Sequence, residues 1–239
     1  MSRISYITSF LFILSAEAFA LNVNTIVDKI FNADDELAQW PLYKRQQGCF
    51  YAGYTHAALM AIKEAQGQYR VGHKAERKIN KAIQKTDIQN KKCFSSNASF
   101  LQLGHPAKKV EHRIDKANKK LSKALDGIDA DASISFDEAK LKNDLLARAK
   151  KLPNHSSVDV GLFWAGTWKP DVCYDIGSIK FLAELAVLNA ESASVDLNHV
   201  LANSIKELQN EICFSNRWTE KYRRERAELI QHLEKYAQE

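Results

Sequence analysis

The chain has 239 residues, 45% hydrophobic and 26% charged, with 34 Lys and Arg against 29 Asp and Glu for a net charge of +5. Four prolines and nine glycines are too few to punctuate a loop-rich all-β fold. Beyond the N-terminal segment, no stretch reaches the roughly 20 apolar residues needed to cross a bilayer.

Residues 1–20 read as a cleaved secretory signal. Arg3 supplies one positive charge, Ile4 to Leu14 is apolar apart from Ser and Thr, and Ala18-Phe19-Ala20 is a small-x-small cleavage signature. The mature chain is expected to begin near Leu21 and to be secreted to the extracellular space, or to the periplasm of a bacterium. A helix is predicted from Asn24 to Gln39. A second precedes Gly67-Gln-Tyr-Arg-Val-Gly72, where two glycines can break it, and Ala75, Ile79, Ala82 and Ile83 mark the apolar stripe of a third. Val110, Ile114, Ala117, Leu121, Ala124 and Leu125 repeat that 4-3-4-3 stripe on a helix otherwise made of Lys, Glu, Asp and Asn. After the linker Asp126 to Ser133 come a helix from Phe136 to Lys151 and the run Ile179 to Leu188, apolar nearly all round and expected to be the most buried. The arm marked by Val195, Val200, Leu201, Ile205, Leu208 and Ile212 follows.

One pattern runs through this list twice. Trp40, Cys49 and Gly53 recur as Trp164, Cys173 and Gly177 at an offset of 124, and Gln89-Asn90 with Cys93-Phe94-Ser95 recur as Gln209-Asn210 with Cys213-Phe214-Ser215 at 120. The expected architecture is therefore all-α: a tandem duplication of a disulfide-stapled helical hairpin within a four-helix unit, packed into one compact body. The units are 21–128 and 129–239. Four cysteines in an exported chain give an even number to pair. The duplication selects Cys49 with Cys93 and Cys173 with Cys213, because each copy most simply keeps its own bond. Each pair also flanks a predicted turn at its midpoint, which places the two cysteines together at the open end of an antiparallel hairpin.

Charge divides unevenly between the units. Residues 41–130 carry net +11 and residues 131–239 net −3. Lys74, Arg77, Lys78, Lys81 and Lys85 lie along one helical side, and Lys109, Arg113, Lys116, Lys120 and Lys123 along another. This basic, first unit is expected to engage an anionic or acidic macromolecular partner, a protein or an anionic envelope or extracellular surface. A solvated Lys-rich face is the bland counterpart. Nucleic acid fits poorly, since the basic runs lack interleaved aromatics for stacking.

Catalysis finds no motif. The seven histidines show no trusted ligand spacing, no GxSxG or phosphate loop is present, and pairing leaves no thiol nucleophile. No metal and no cofactor is expected. Gly127 to Glu138 matches a calcium loop in part, but Gly127 stands where the first acidic ligand belongs and Ala132 where the turn needs glycine. Ser135, Asp137 and Glu138 are read instead as the start of the next helix. A second function class, a helical carrier of a small apolar ligand, would use an inter-helix pocket near the disulfides lined by Trp40, Tyr54, Phe94, Trp164 and Phe214. Plain core packing is the alternative for the same aromatics. Asn97-Ala-Ser99 and Asn154-His-Ser156 are glycosylation sequons in a host that glycosylates.

Overall fold

A computed structural model of the chain describes residues 21–39, 45–94, 123, 127–129, 131–153, 169–190, 193–214 and 221–239. Most of these are helical: α1 (Val23–Gln39), α2 (Arg45–Glu64), α3 (His73–Phe94), α4 (Glu138–Lys151), α5 (Lys169–Asn189), α6 (Val195–His199), α7 (Lys206–Leu208) and α8 (Lys221–Gln238). Two π-helical turns, Val200–Ile205 and Gln209–Cys213, interleave with α6 and α7. No strand occurs among the described residues, only isolated bridges. The proposed signal at 1–20 and the residues that mark the next predicted helix, Val110, Ile114, Ala117, Leu121, Ala124 and Leu125, lie outside the described residues.

Local chemistry sets the helix starts. The Asn22 carboxamide oxygen accepts from the Thr25 backbone N–H at 2.9 Å, so α1 begins one residue before the expected Asn24. The Asp137 carboxylate accepts from Lys140 N–H at 3.0 Å, which makes it the cap of α4 and moves that start from Phe136 to Glu138. Ser194 caps α6 in the same way. The chain turns between α2 and α3 at Gly67, whose φ of 108° is open only to glycine without strain.

The centre of the molecule is the packing of α2 against α5, and their buried side chains share one hydrophobic cluster drawn from both halves of the chain. α5 is as buried as its apolar run foretold. α2 shares that burial: Gln47, Cys49, Phe50, Tyr54, Thr55 and Ile62 are all nearly inaccessible. The helices meet through glycine. A methyl carbon added at Gly53 would stand 1.9 Å from the carbonyl oxygen of Tyr174, and one added at Gly177 would stand 1.9 Å from that of Phe50. Under the offset of 124, Gly53 corresponds to Gly177 and Phe50 to Tyr174. The two approaches are one contact made in both directions, as across a two-fold axis. Two ring contacts repeat the relation: His56 lies 6.1 Å from the Tyr174 ring and its counterpart Lys180 lies 5.8 Å from the Phe50 ring. α3 packs on α5 while the turn Gln209–Cys213 packs on α2.

In the second half, α4, α5, α8 and residues 195–213 pack on one another. The predicted stripe of the arm is only partly right. Val200, Ile205, Leu208 and Ile212 are buried, but Val195 is 85% exposed and Leu197 fills the core in its place. Val195 is the first residue of the helix, beyond the reach of the neighbouring elements. The five-residue step from Val200 to Ile205 would drift off a 3.6-residue face, and the π-turn there, with more residues per turn, brings both inward.

The linker is tied down at several points. Ile128 bridges to Val71 and Ser133 to Asn22. The Ile134 N–H donates to Leu21 carbonyl at 2.7 Å, and the Gln68 side chain makes two 2.8 Å bonds to the backbone of Ser135.

Candidate functional site

The described part of the predicted basic surface is the solvent side of α3 together with the exposed Lys123. The opposite side of α3 is committed to the interior: Ala75, Ile79 and Ile83 are buried, and Ala82 packs against the core. That commitment turns Lys74, Arg77 and Lys81 to water. Lys78 is half-buried, and its ammonium donates to the backbone carbonyl of Lys123. The Gly72 carbonyl accepts the N–H groups of Ala75 at 2.8 Å and Glu76 at 3.0 Å, which starts α3 at His73. His73, Glu76, Arg77, Asn80, Lys81 and Gln84 line a shallow, open groove along this face. The Lys85 side chain and Lys109, Arg113, Lys116 and Lys120 lie outside the described set.

Of the residues considered for an apolar pocket, Tyr54 and Phe214 are described. Tyr54 stacks edge-on against Phe181 at 5.3 Å. Phe214 stacks edge-on against Phe50 at 5.9 Å and Tyr51 at 6.0 Å, so the residue after the second closing cysteine packs on the first half. Trp40, Trp164 and the Phe94 side chain lie outside the described set. Cys173 and Cys213 form a disulfide with their Cα atoms 5.5 Å apart, inside the usual range for such bonds. Cys49 is disulfide-bonded as well. The Cys93 side chain is outside the described set.

Three polar clusters escaped the sequence reading. In the first, Glu184 of α5 receives the Lys29 ammonium at 2.6 Å and the Tyr54 hydroxyl at 2.7 Å, joining α1, α2 and α5. Burial, and then the adjacent carboxylate, raise the Tyr54 phenol far above its ordinary value, so it serves as a donor at any physiological pH. Glu184 is the lone acid in the run Ile179 to Leu188, and that isolation was the available signal. In the second, the rings of His199 and His232 stack with centroids 4.0 Å apart, and His232 Nδ1 lies 2.5 Å from Asp196 Oδ1. The hydrogen bond to His232 holds the Asp196 carboxyl below the usual range. Nothing in the spacing of 33 residues announces this pair. Among the described residues, no group of three or more His, Cys, Asp or Glu comes together to hold a metal.

The third is Asp175, half-buried on α5, which corresponds to Tyr51 in the first half. Burial pushes its carboxyl up to about 6, against the opposing pull of Arg148 and Lys151. A carboxyl raised in the folded state favours the fold in its protonated form. Its contribution is present below the unfolded value near 3.8 and is lost as pH rises through about 6. Asp175→Asn is therefore expected to raise stability by about 1–3 kcal/mol at pH 8 and to change little below pH 4, as read by urea denaturation at the two pH values.

Comparison with protein-family models, with curated proteins and with solved structures finds no match to this chain.

Proposed function

We propose that the chain is an exported, non-enzymatic binding protein, built from two related stapled helical units, that engages an anionic macromolecular partner through its first unit. One observation carries the reading. Among the described side chains of α3, residues 73–84, the apolar Ala75, Ile79, Ala82 and Ile83 face the core, while Lys74, Arg77 and Lys81 are exposed. Such a face raises the local concentration of anions and steers their approach. Export is supported by the apolar leader with its small-x-small end and by the Cys173–Cys213 bond, which an oxidising compartment sustains. The duplication is supported by the reciprocal approach of Gly53 to Tyr174 and Gly177 to Phe50, since a copied unit that once met its twin would keep the same contact in both directions.

The test is retention on an anionic matrix under a salt gradient. The native chain is expected to be held at about 0.15 M salt, where the screening length is about 8 Å, and released well above it. Arg77→Glu/Lys81→Glu is expected to pass through at that salt. Lys206→Glu, an exposed cation of the second half, should elute like the native protein. Equal losses from both variants would reduce the effect to net charge and remove α3 from the proposal.

A further inference from the structure

We propose that His199 and His232 form a two-imidazole site for a divalent transition-metal ion, Cu2+ above all, which ties the arm after Ser194 to the C-terminal helix. The site lies in the second unit and is independent of the charged face of α3. Its two rings come from α6 and α8, which pack on one another. The ring centres are 4.0 Å apart with the planes at 32°. Two imidazoles on adjacent positions of one ion, with metal–nitrogen bonds of about 2.0–2.1 Å, hold their centres about 4.5 Å apart, so an opening of about half an ångström brings this pair to that spacing.

Each ring is also anchored through Nδ1. His232 Nδ1 lies 2.5 Å from Asp196 Oδ1. An ionised carboxylate only accepts, so Nδ1 carries the proton of the neutral ring and the Nε2 lone pair is free. His199 Nδ1 lies 3.1 Å from the carboxamide of Asn203, which is exposed. Half a turn of that amide offers its oxygen to an Nδ1–H and frees the second Nε2 in the same way. A ligating histidine whose other nitrogen donates to a carboxylate or carbonyl oxygen is oriented and made more basic by it. Asp196 itself is spent on His232 and on the Lys235 ammonium 3.8 Å away, so the protein supplies two nitrogens and water fills the other positions. Imidazole nitrogens with open positions suit Cu2+, Ni2+ and Zn2+, with Cu2+ held most tightly, whereas Ca2+ and Mg2+ require oxygen. The His232 side chain is 20% exposed, which leaves the ion a way in from solvent. The Lys235 ammonium opposes a bound dication.

Titration of the full-length protein with Cu2+, followed by visible and electron paramagnetic resonance spectra, tests this. One equivalent is expected to bind with two-nitrogen coordination, Ni2+ and Zn2+ to compete more weakly, and Ca2+ to have no effect. His199→Gln and His232→Gln should each abolish the two-nitrogen spectrum. Asp196→Asn keeps an acceptor for Nδ1 but removes its charge, and should weaken binding by about 10-fold. Lys235→Gln, at a position more than half exposed, should tighten it a few-fold. Saturating Cu2+ should also raise the unfolding midpoint of the native chain and leave that of either histidine variant unchanged. A two-nitrogen spectrum retained in both histidine variants would place the ion elsewhere and overturn the proposal, as would the absence of saturable binding by the native chain. Should circular dichroism show that the histidine variants have lost the fold, Lys235→Gln decides: an affinity equal to the native one would overturn the site.

Discussion

Gly53→Ala is expected to destabilise the protein by about 2–4 kcal/mol, and Gly177→Ala by a similar amount. Alanine for glycine inside a helix ordinarily helps by about 1 kcal/mol, so the sign itself discriminates. Each new methyl would overlap a backbone carbonyl at 1.9 Å. No side-chain rotamer relieves a clash with backbone. α2 and α5 would have to move apart, loosening the packing of Phe50, Phe181, Ile176 and Ile179, all buried to within 1%. Once one substitution has opened the crossing, the second has less left to disturb. The double variant should therefore cost less than the sum of the two, as expected for residues sharing one contact. Gly72→Ala is the control: nothing lies within 4 Å of its added carbon, and its unfolding midpoint should stay close to the native one. Urea denaturation of the native protein and the four variants decides the matter. Midpoints for Gly53→Ala and Gly177→Ala at or above the native value would mean that the helices do not approach as described.

Removing the bond between Cys173 and Cys213 is the second large effect. It spans 40 residues, and the chain-entropy estimate for a loop of that length is about 4 kcal/mol. Cys173→Ala/Cys213→Ala avoids leaving a buried hydroxyl at sites that are fully inaccessible. The expected loss is of that order, with a change in near-ultraviolet circular dichroism as Phe214 loses its anchored position on Phe50 and Tyr51. Non-reducing peptide mapping of the native chain should return the Cys173–Cys213 pair together with Cys49 joined to Cys93. A peptide linking Cys49 to either cysteine of the second half would contradict the proposed pairing.

Much of this architecture was open to reading from the residues. Apolar spacing of three and four marked α3, and the cysteines bracketing Ser194 marked the bond that now joins Cys173 to Cys213. Asp137 was placed at a helix start because a short carboxylate there satisfies an otherwise orphaned N–H. The basic side of α3 followed from the same periodicity, since placing Ala75, Ile79 and Ile83 inward leaves Lys74, Arg77 and Lys81 outward.

Other features needed the folded chain. Gly53 and Gly177 stand out in the sequence as a matched pair, yet their purpose appears only when α2 and α5 cross and each backbone occupies the space where the other's Cβ would be. Val195 looked like a core residue by its place in the apolar stripe of the arm, but its position on the first turn leaves it in solvent. Asp175, Glu184 and the stacked His199 and His232 acquire partners from residues distant in the chain. The physical division is one of range. Periodicity, capping and turn chemistry act within a few residues and are written along the chain, whereas close helix approach and the environment of a buried charge depend on which surfaces the fold brings together.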